Sequence, residues 1–276
     1  MLLRLLVGLL LLLVIPSSAA ESRAALVRLT VDSKALGRNA QVEVLLPKGW
    51  RPGTKWPVLY LLEGCCHQGL EWITLGRADD VVKDVIVVIP EGGESGFYSD
   101  WRRGPKWETF HLTEVRELVE ERYGASDRRA IAGLSMGGFG ALSYAARHPG
   151  MFRAAASFSG LVDVSRKDTD YIAGPEKSPD LWAESDIPLH NPTALAAKLK
   201  DIPVYISSGN GQAGPLDAPG TSFDGGEAVI EQQNRRFLAA AQAAGVQVTA
   251  NLYGPGTHSW PYWTRELRTA LPILLR

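Results

Sequence analysis

The chain has 276 residues and carries 29 Lys and Arg against 30 Asp and Glu, a formal net charge of −1. This near balance gives no sign of binding to nucleic acid or to an anionic membrane surface, and neither is predicted as a partner. The length suits one large α/β domain with a substantial core.

The first twenty residues have the pattern of a secretory signal peptide. Arg4 gives a positive start, residues 5–15 are almost wholly aliphatic, and small residues at 18–20 precede Glu21. The apolar run is shorter than the ~20 residues of a membrane span, although a retained N-terminal anchor is the alternative. We therefore predict a signal peptide over 1–20, a single domain over 21–276, and a location outside the cytoplasm, in the medium or the cell envelope.

Short apolar runs alternate with helical patterns through the rest of the chain. Strands are predicted over 26–31, 41–46, 57–62, 85–89, 154–159, 203–208 and 246–253, with one more ending at 134. Helices are predicted over 110–123, 141–147, 191–199, 226–244 and 261–275, and 160–190 is predicted as a long irregular insert. Continuous apolar runs suit parallel strands that are buried on both faces. The alternation predicts an α/β-hydrolase fold, with a mostly parallel central sheet and helices on both faces.

Residues 133–137 have the form G-x-S-x-G and stand between an apolar run and a helical pattern. A strand, a sharp turn that carries a serine, and a helix form the setting that a nucleophile elbow requires. Glycines flank the serine because the turn is strained and the helix packs closely on the strand. Ser135 would lie at the helix N-terminus, whose partial positive charge favours an oxyanion nearby. We predict Ser135 as a nucleophile.

A serine nucleophile needs a base that removes its proton and a third group that fixes the tautomer of that base. In this fold the histidine follows the last strand, which selects His258. The competing histidines are His67, His111, His148 and His190. Spacing alone leaves the acid open among Asp163, Asp217, Asp224, Glu227 and Glu231.

An oxyanion hole takes one N–H from the residue after the nucleophile and another from the loop after an early strand. These positions predict the backbone N–H groups of Met136 and Cys65, with Gly64 permitting a tight turn; the alternative is that Glu63 and Gly64 only end a strand. Cys65 and Cys66 are the only cysteines. An oxidising compartment favours a disulfide between them, whereas the short spacing of adjacent Cα atoms favours two free thiols.

Four segments, at 97–101, 106–110, 209–211 and 256–263, resemble the secreted mycolyltransferases of the antigen 85 group, within the wider esterase D family. The resemblance implies an acyl-enzyme mechanism that passes an acyl group from an ester to a sugar hydroxyl. It selects Glu227 as the acid, because Asn234 and Phe237 match an Asn-x-x-Phe segment of that family. It also implies that Glu63 and Trp260 contact the acceptor.

One position departs from the family pattern. The family has an arginine where this chain has Cys66, and a thiol cannot replace the several fixed donors of a guanidinium group. The insert at 160–190 also lacks the length and apolar character expected for a very long lipid tail.

We therefore predict a secreted serine esterase or acyltransferase, without cofactor or metal, in which Ser135, Glu227 and His258 form the triad. The predicted partner is a small-molecule or lipid acyl ester, with a sugar or glycerol as candidate acceptor, and the predicted state is a monomer. The alternatives are a plain secreted carboxylesterase and a non-catalytic extracellular binding protein on a hydrolase scaffold.

Overall fold

The computed structural model describes residues 25–66 and 70–276. The predicted signal peptide and His67 lie outside the described residues. The strands are β1 (Ala25–Ser33), β2 (Arg38–Leu46), β3 (Trp56–Leu62), β4 (Ile86–Pro90), β5 (Ala125–Leu134), β6 (Ala154–Phe158), β7 (Val204–Ser208) and β8 (Val248–Leu252).

These strands form one sheet in the order β1-β2-β4-β3-β5-β6-β7-β8. The β1–β2 and β2–β4 pairs are antiparallel, and all the other pairs are parallel. The chain runs from β3 to β4 on one side and then returns to β5 on the other side of β3. The loops after β3 and β5 therefore lie side by side at the carboxyl edge, where ligands bind in open α/β sheets.

The helices are α1 (Glu71–Thr74), α2 (Ala78–Val81), α3 (Trp107–Thr109), α4 (Arg116–Tyr123), α5 (Met136–Arg147), α6 (Arg166–Ala173), α7 (Ser178–Leu181), α8 (Gly225–Ala243) and α9 (Trp260–Leu274). A π-helical segment, Phe110–Val115, joins α3 to α4, and 3-10 turns occupy Glu184–Leu189 and Ala196–Leu199. None of the helices in the described ranges is long and apolar enough to cross a membrane.

Both faces of the sheet are covered by helices. Along β3, Tyr60 and Leu62 belong to a buried cluster that includes Phe237 of α8, whereas Leu61 belongs to a second cluster that includes Leu267 of α9. Because side chains alternate between the faces of a strand, this division places the two clusters on opposite faces. The prediction of an α/β-hydrolase fold is confirmed.

Two local predictions are wrong. The segment 191–199 forms turns and a 3-10 helix instead of an α-helix. Its Asn191 accepts a hydrogen bond from the Thr193 N–H and donates to Asp163, so the amide stabilises a turn joined to a neighbouring loop. The insert at 160–190 is not wholly irregular, because it contains α6 and α7.

Candidate active site

Ser135 forms the turn between β5 and α5. Its backbone has φ of 54° and ψ of −121°, a strained conformation for a residue with a side chain. A Cβ on Gly133 would collide with the carbonyl oxygen of Gly137, and a Cβ on Gly137 would collide with that of Leu62. Both glycines are therefore required for the close approach of α5 to β5 and to the end of β3.

Glu227 and His258 are joined by a hydrogen bond of 2.7 Å between Glu227 Oε2 and His258 Nδ1. The carboxylate is fully buried. Its other oxygen, Oε1, accepts bonds from the Ser159 hydroxyl at 2.8 Å and from the Gly209 N–H at 2.7 Å. Three donors thus hold the carboxylate in place, and the bond to Nδ1 leaves Nε2 of the imidazole to act as the base.

None of the other four candidate acids bonds to the imidazole of His258 within the described residues. Asp163 pairs with Arg236, and Glu231 pairs with Arg235. Asp217 accepts hydrogen bonds from the hydroxyl groups of Thr257 and Tyr262. The side chain of Asp224 accepts bonds from two backbone N–H groups, one of Glu227 and one of His258. Among the five, Glu227 is the one whose side chain contacts the imidazole of His258.

The other histidines in the described part of the chain lie away from this pair. His111 is buried between the Tyr144 hydroxyl and the Glu91 carbonyl, and its burial lowers its pKa to about 4. His148 bonds to Glu108, and His190 stacks on Trp182 with ring centroids 4.7 Å apart.

A cavity of about 630 Å³ opens at the carboxyl edge of the sheet. The residues that line it include Ser135, His258, Cys65 and Cys66. Its apolar wall comes from α8 and the segment around α6, through Leu161, Tyr171, Ile172, Val229 and Ile230. No hydrogen bond joins the Ser135 hydroxyl to His258 in the described part of the chain, although both residues line this cavity.

The predicted oxyanion donors are placed near Ser135. A Cβ on Gly64 would lie 2.8 Å from Leu134 Cδ1 and 3.5 Å from Ser135 Cβ, so the absence of a side chain lets this loop approach the serine. Met136 is the first residue of α5, where an N–H has no acceptor within the helix. Within the described residues, neither the Met136 nor the Cys65 N–H donates to another group.

Cys65 and Cys66 are joined in a disulfide. Cys66 has φ of 75°, in the left-handed region, and its N–H donates to the Glu94 carbonyl at 2.8 Å. Both cysteines line the same cavity as Ser135. Among the described residues, no group of His, Cys, Asp and Glu side chains could hold a metal ion.

The two predicted acceptor contacts, Glu63 and Trp260, are not among the residues that line the cavity. The Glu63 carboxylate is buried and accepts bonds from the backbone N–H groups of Glu71 at 2.7 Å and Trp72 at 3.1 Å. Burial raises the pKa of this carboxyl to about 8. Trp260 packs edge-on against Trp72, with ring centroids 5.3 Å apart. These placements favour a structural role for Glu63.

Sequence reasoning missed two groups that hold the acid, Ser159 and the N–H of Gly209. Ser159 directly follows β6 and has φ of 45°, and Gly209 directly follows β7. A Cβ on Gly209 would collide with the Gly256 carbonyl. The available signal was their position, because residues that follow parallel strands meet at the same edge of the sheet as Ser135.

The sheet topology and the serine turn at its carboxyl edge define the α/β-hydrolase class. Residues 33–274 match the model of the esterase family, described as "Putative esterase". The chain is 32% identical over 273 residues to the diacylglycerol acyltransferase/mycolyltransferase Ag85A of Mycobacterium ulcerans, covering 89% of this chain and 80% of that protein. It is 31% identical over 246 residues to an esterase of Mycobacterium tuberculosis, covering 78% of this chain and 52% of that protein.

A solved structure of a ferulic acid esterase superposes with a TM-score of 0.73 at 26% identity, covering 91% of this chain and 97% of that one. The chain belongs to the esterase family, and its relatives include both esterases and acyltransferases.

Proposed function

We propose that this protein is a secreted serine enzyme that acts on carboxylic esters through an acyl-enzyme intermediate. Ser135 is the nucleophile, His258 is the general base and acid, and Glu227 orients His258. The hydrogen bond between the buried Glu227 carboxylate and His258 Nδ1, beside a cavity shared with Ser135, is the observation that carries the proposal.

In the first half of the reaction, Ser135 Oγ attacks the ester carbonyl carbon while its proton moves to His258 Nε2. The carbonyl oxygen becomes an oxyanion, and the N–H groups of Cys65 and Met136 donate hydrogen bonds to it. When the tetrahedral intermediate collapses, the bond to the alcohol oxygen breaks and His258 gives its proton to that oxygen. The alcohol leaves, and the acyl group remains on Ser135.

In the second half, a hydroxyl group of water or of an alcohol gives its proton to His258 Nε2 and attacks the acyl carbon. When this second tetrahedral intermediate collapses, the bond between the acyl carbon and Ser135 Oγ breaks, and His258 returns the proton to Oγ. Water yields a free acid, and an alcohol yields a new ester. Both reactions use the same catalytic residues, so the outcome depends on which hydroxyl occupies the cavity. The relatives named as mycolyltransferases and esterases represent these two outcomes.

The cavity supports an acyl group of moderate size. A volume of about 630 Å³ lies within the range of small-molecule sites. Its lining includes the charged residues Lys167, Asp168 and Asp224, and its apolar residues supply the surface that an acyl chain would contact. The lining also includes the disulfide-bonded Cys65 and Cys66, and Cys66 stands where the antigen 85 pattern has an arginine. This difference favours simple hydrolysis as the second candidate function, and contacts of Glu63 or Trp260 with a sugar stay a prediction.

A product assay separates transfer from hydrolysis. The purified protein is given chromogenic esters of increasing acyl length, with and without saturating trehalose or glycerol, and the products are separated by chromatography. A new sugar or glycerol ester supports transfer. Free acid as the only product at saturating acceptor contradicts transfer and leaves the carboxylesterase. No turnover of any ester would instead favour a binding protein.

Export is proposed from the predicted signal over 1–20. Expression of the full chain, followed by N-terminal sequencing of the protein in the culture medium, should give a chain that begins near Glu21. Retention of the whole product in the cytoplasm would contradict export.

A further inference from the structure

Asp224 lies between the two elements that carry Glu227 and His258. It is the N-cap residue of α8, and its Oδ1 accepts a bond of 3.0 Å from the Glu227 N–H. Its Oδ2 accepts a bond of 2.9 Å from the His258 N–H. One carboxylate thus joins the first turn of α8 to the loop after β8, although 34 residues separate Asp224 from His258 in the chain.

The backbone of Asp224 is also fixed. Its N–H donates to the Gly211 carbonyl at 2.8 Å, and the Gly211 N–H donates to the Gly256 carbonyl at 3.0 Å, two residues before His258. A Cβ on Gly211 would collide with the Asp224 carbonyl oxygen. Asp224 is therefore held by the loop after β7 while its side chain spans the other two elements.

An N-cap by itself does not require aspartate. Ser, Asn and Asp cap helices about equally well, because one side-chain oxygen is enough to accept the N–H of the first turn. Only the ionised carboxylate offers a second acceptor oxygen on the same short side chain, whereas serine has one oxygen and asparagine has a donor in place of the second. The bond to the His258 N–H is the contact that selects aspartate at this position.

We infer that Asp224 is a positioning residue that sets the distance between the Glu227 carboxylate and the His258 imidazole. The inference rests on the proposed function, in which those two groups act together. Other bonds join the loop after β8 to the loop after β7, such as those from the Asn210 N–H to the Gly254 carbonyl and from the Gly256 N–H to the Gln212 carbonyl. The Asp224 carboxylate instead bonds to the N–H groups of Glu227 and His258 themselves. A displacement of about 1 Å in such a pair can cost about a hundredfold in rate.

Two variants separate positioning from capping. Asp224→Asn keeps the size of the side chain and one capping oxygen but turns an amide donor toward the His258 N–H. Asp224→Ser keeps one capping oxygen, but it lacks the second acceptor oxygen that bonds to the His258 N–H. Glu114→Gln is the control, because the Glu114 carboxylate also accepts two bonds, from the Ser33 hydroxyl and the Ala35 N–H, and none of these three residues lines the cavity.

Thermal unfolding, kcat and KM are measured for each protein with a short chromogenic ester. We expect both Asp224 variants to unfold within a few degrees of the wild type, with kcat lowered about tenfold to a hundredfold and KM changed less than about threefold. Glu114→Gln should lower the unfolding temperature and leave kcat within about twofold of the wild type. In the double variant, Asp224→Asn should lower kcat little further than Glu227→Gln alone does, because both changes disturb the same Glu227–His258 pair.

The inference is overturned if both Asp224 variants keep kcat within about twofold of the wild type, or if both are unfolded at the assay temperature. It is also overturned if the fold loss of kcat in the double variant equals the product of the losses in Asp224→Asn and Glu227→Gln. Ser135→Ala in the same assay tests the proposed function separately. Full activity of Ser135→Ala overturns that function and this inference with it. Loss of activity in Ser135→Ala, with wild-type kcat in both Asp224 variants, overturns this inference alone.

Discussion

Glu227 Oε2 lies 2.7 Å from His258 Nδ1, and the carboxylate that makes this bond is completely excluded from solvent. A buried carboxylate is costly unless donors surround it, and here the Ser159 hydroxyl and the Gly209 N–H supply two more bonds. The tautomer of His258 is therefore set by a group that is itself held by the ends of two neighbouring strands.

Replacement of Glu227 should reduce catalysis strongly. In Glu227→Gln the side chain keeps its size but loses the charge that stabilises the imidazolium, so we expect kcat to fall by about two to four orders of magnitude. The measurement is steady-state hydrolysis of a short chromogenic ester. Glu231→Gln is the matched control, because Glu231 lies one helical turn further on α8 and pairs with Arg235; its kcat should stay within about twofold. Equal losses in both variants would contradict the assignment.

Removal of the Ser135 hydroxyl should abolish turnover. We expect Ser135→Ala to lower kcat by about four orders of magnitude or more and to unfold within a few degrees of the wild type, because Ser135 makes no side-chain hydrogen bond within the described residues. A fluorophosphonate probe should label the wild type once, at Ser135, and leave the variant unlabelled. Labelling of the variant at another residue, or full turnover by it, would show that the nucleophile lies elsewhere.

Reduction of the Cys65–Cys66 disulfide should lower activity. The bond restrains the loop that carries the proposed Cys65 N–H donor, and loss of one oxyanion donor costs up to about 10²–10³ in kcat. Activity is measured before and after treatment with dithiothreitol, with thiols counted in parallel. A double variant, Cys65→Ser with Cys66→Ser, should be insensitive to the reductant. Two free thiols in the untreated protein, or unchanged kcat after complete reduction, would contradict this prediction.

The elbow and the buried strands could be predicted because local chemistry determines them. The elbow motif carries glycine at 133 and 137 because α5 packs closely on β5 and on the end of β3, and a strand buried on both faces is a continuous apolar run. The start of α6 could also have been predicted from the sequence, because Ser165 and Asp168 have the spacing of a capping box. The turn at Asn191 could not be predicted from the sequence, because asparagine followed by proline can begin either a helix or a turn. In the structure, the Asn191 side chain bonds to Asp163 and the segment forms a turn.

The choice of acid could not be made from spacing. Asp217, Asp224 and Glu227 all follow β7, and each makes a hydrogen bond with a residue of the 257–262 segment. Only the three-dimensional packing determines which carboxylate meets the imidazole and which meets a hydroxyl or a backbone N–H. The resemblance to the antigen 85 group selected Glu227, the residue that contacts His258 in the structure.

The buried Glu63 carboxyl should make stability depend on pH. Its pKa is 4.5 in an exposed chain and about 8 in the folded protein, because burial penalises the charged form. Between these values the unfolded chain has released a proton that the folded protein keeps, so rising pH favours unfolding. The contribution of the protonated carboxyl is complete below about pH 4.5 and is lost as the pH rises through about 8. Glu63→Gln has no such proton, and its amide oxygen can still accept the N–H groups of Glu71 and Trp72.

Thermal unfolding of the wild type and of Glu63→Gln is therefore compared from about pH 5 to about pH 9. The wild type should lose at least a few degrees relative to the variant across this range, since each 1 kcal/mol shifts the unfolding temperature of a chain of 150–250 residues by roughly 2–4 °C. Glu121→Gln changes an exposed position of α4, and its unfolding temperature should instead vary with pH as that of the wild type does. Parallel curves for Glu63→Gln would mean that Glu63 is ionised in the folded protein, and the two N–H groups at the start of α1 would then hold a carboxylate.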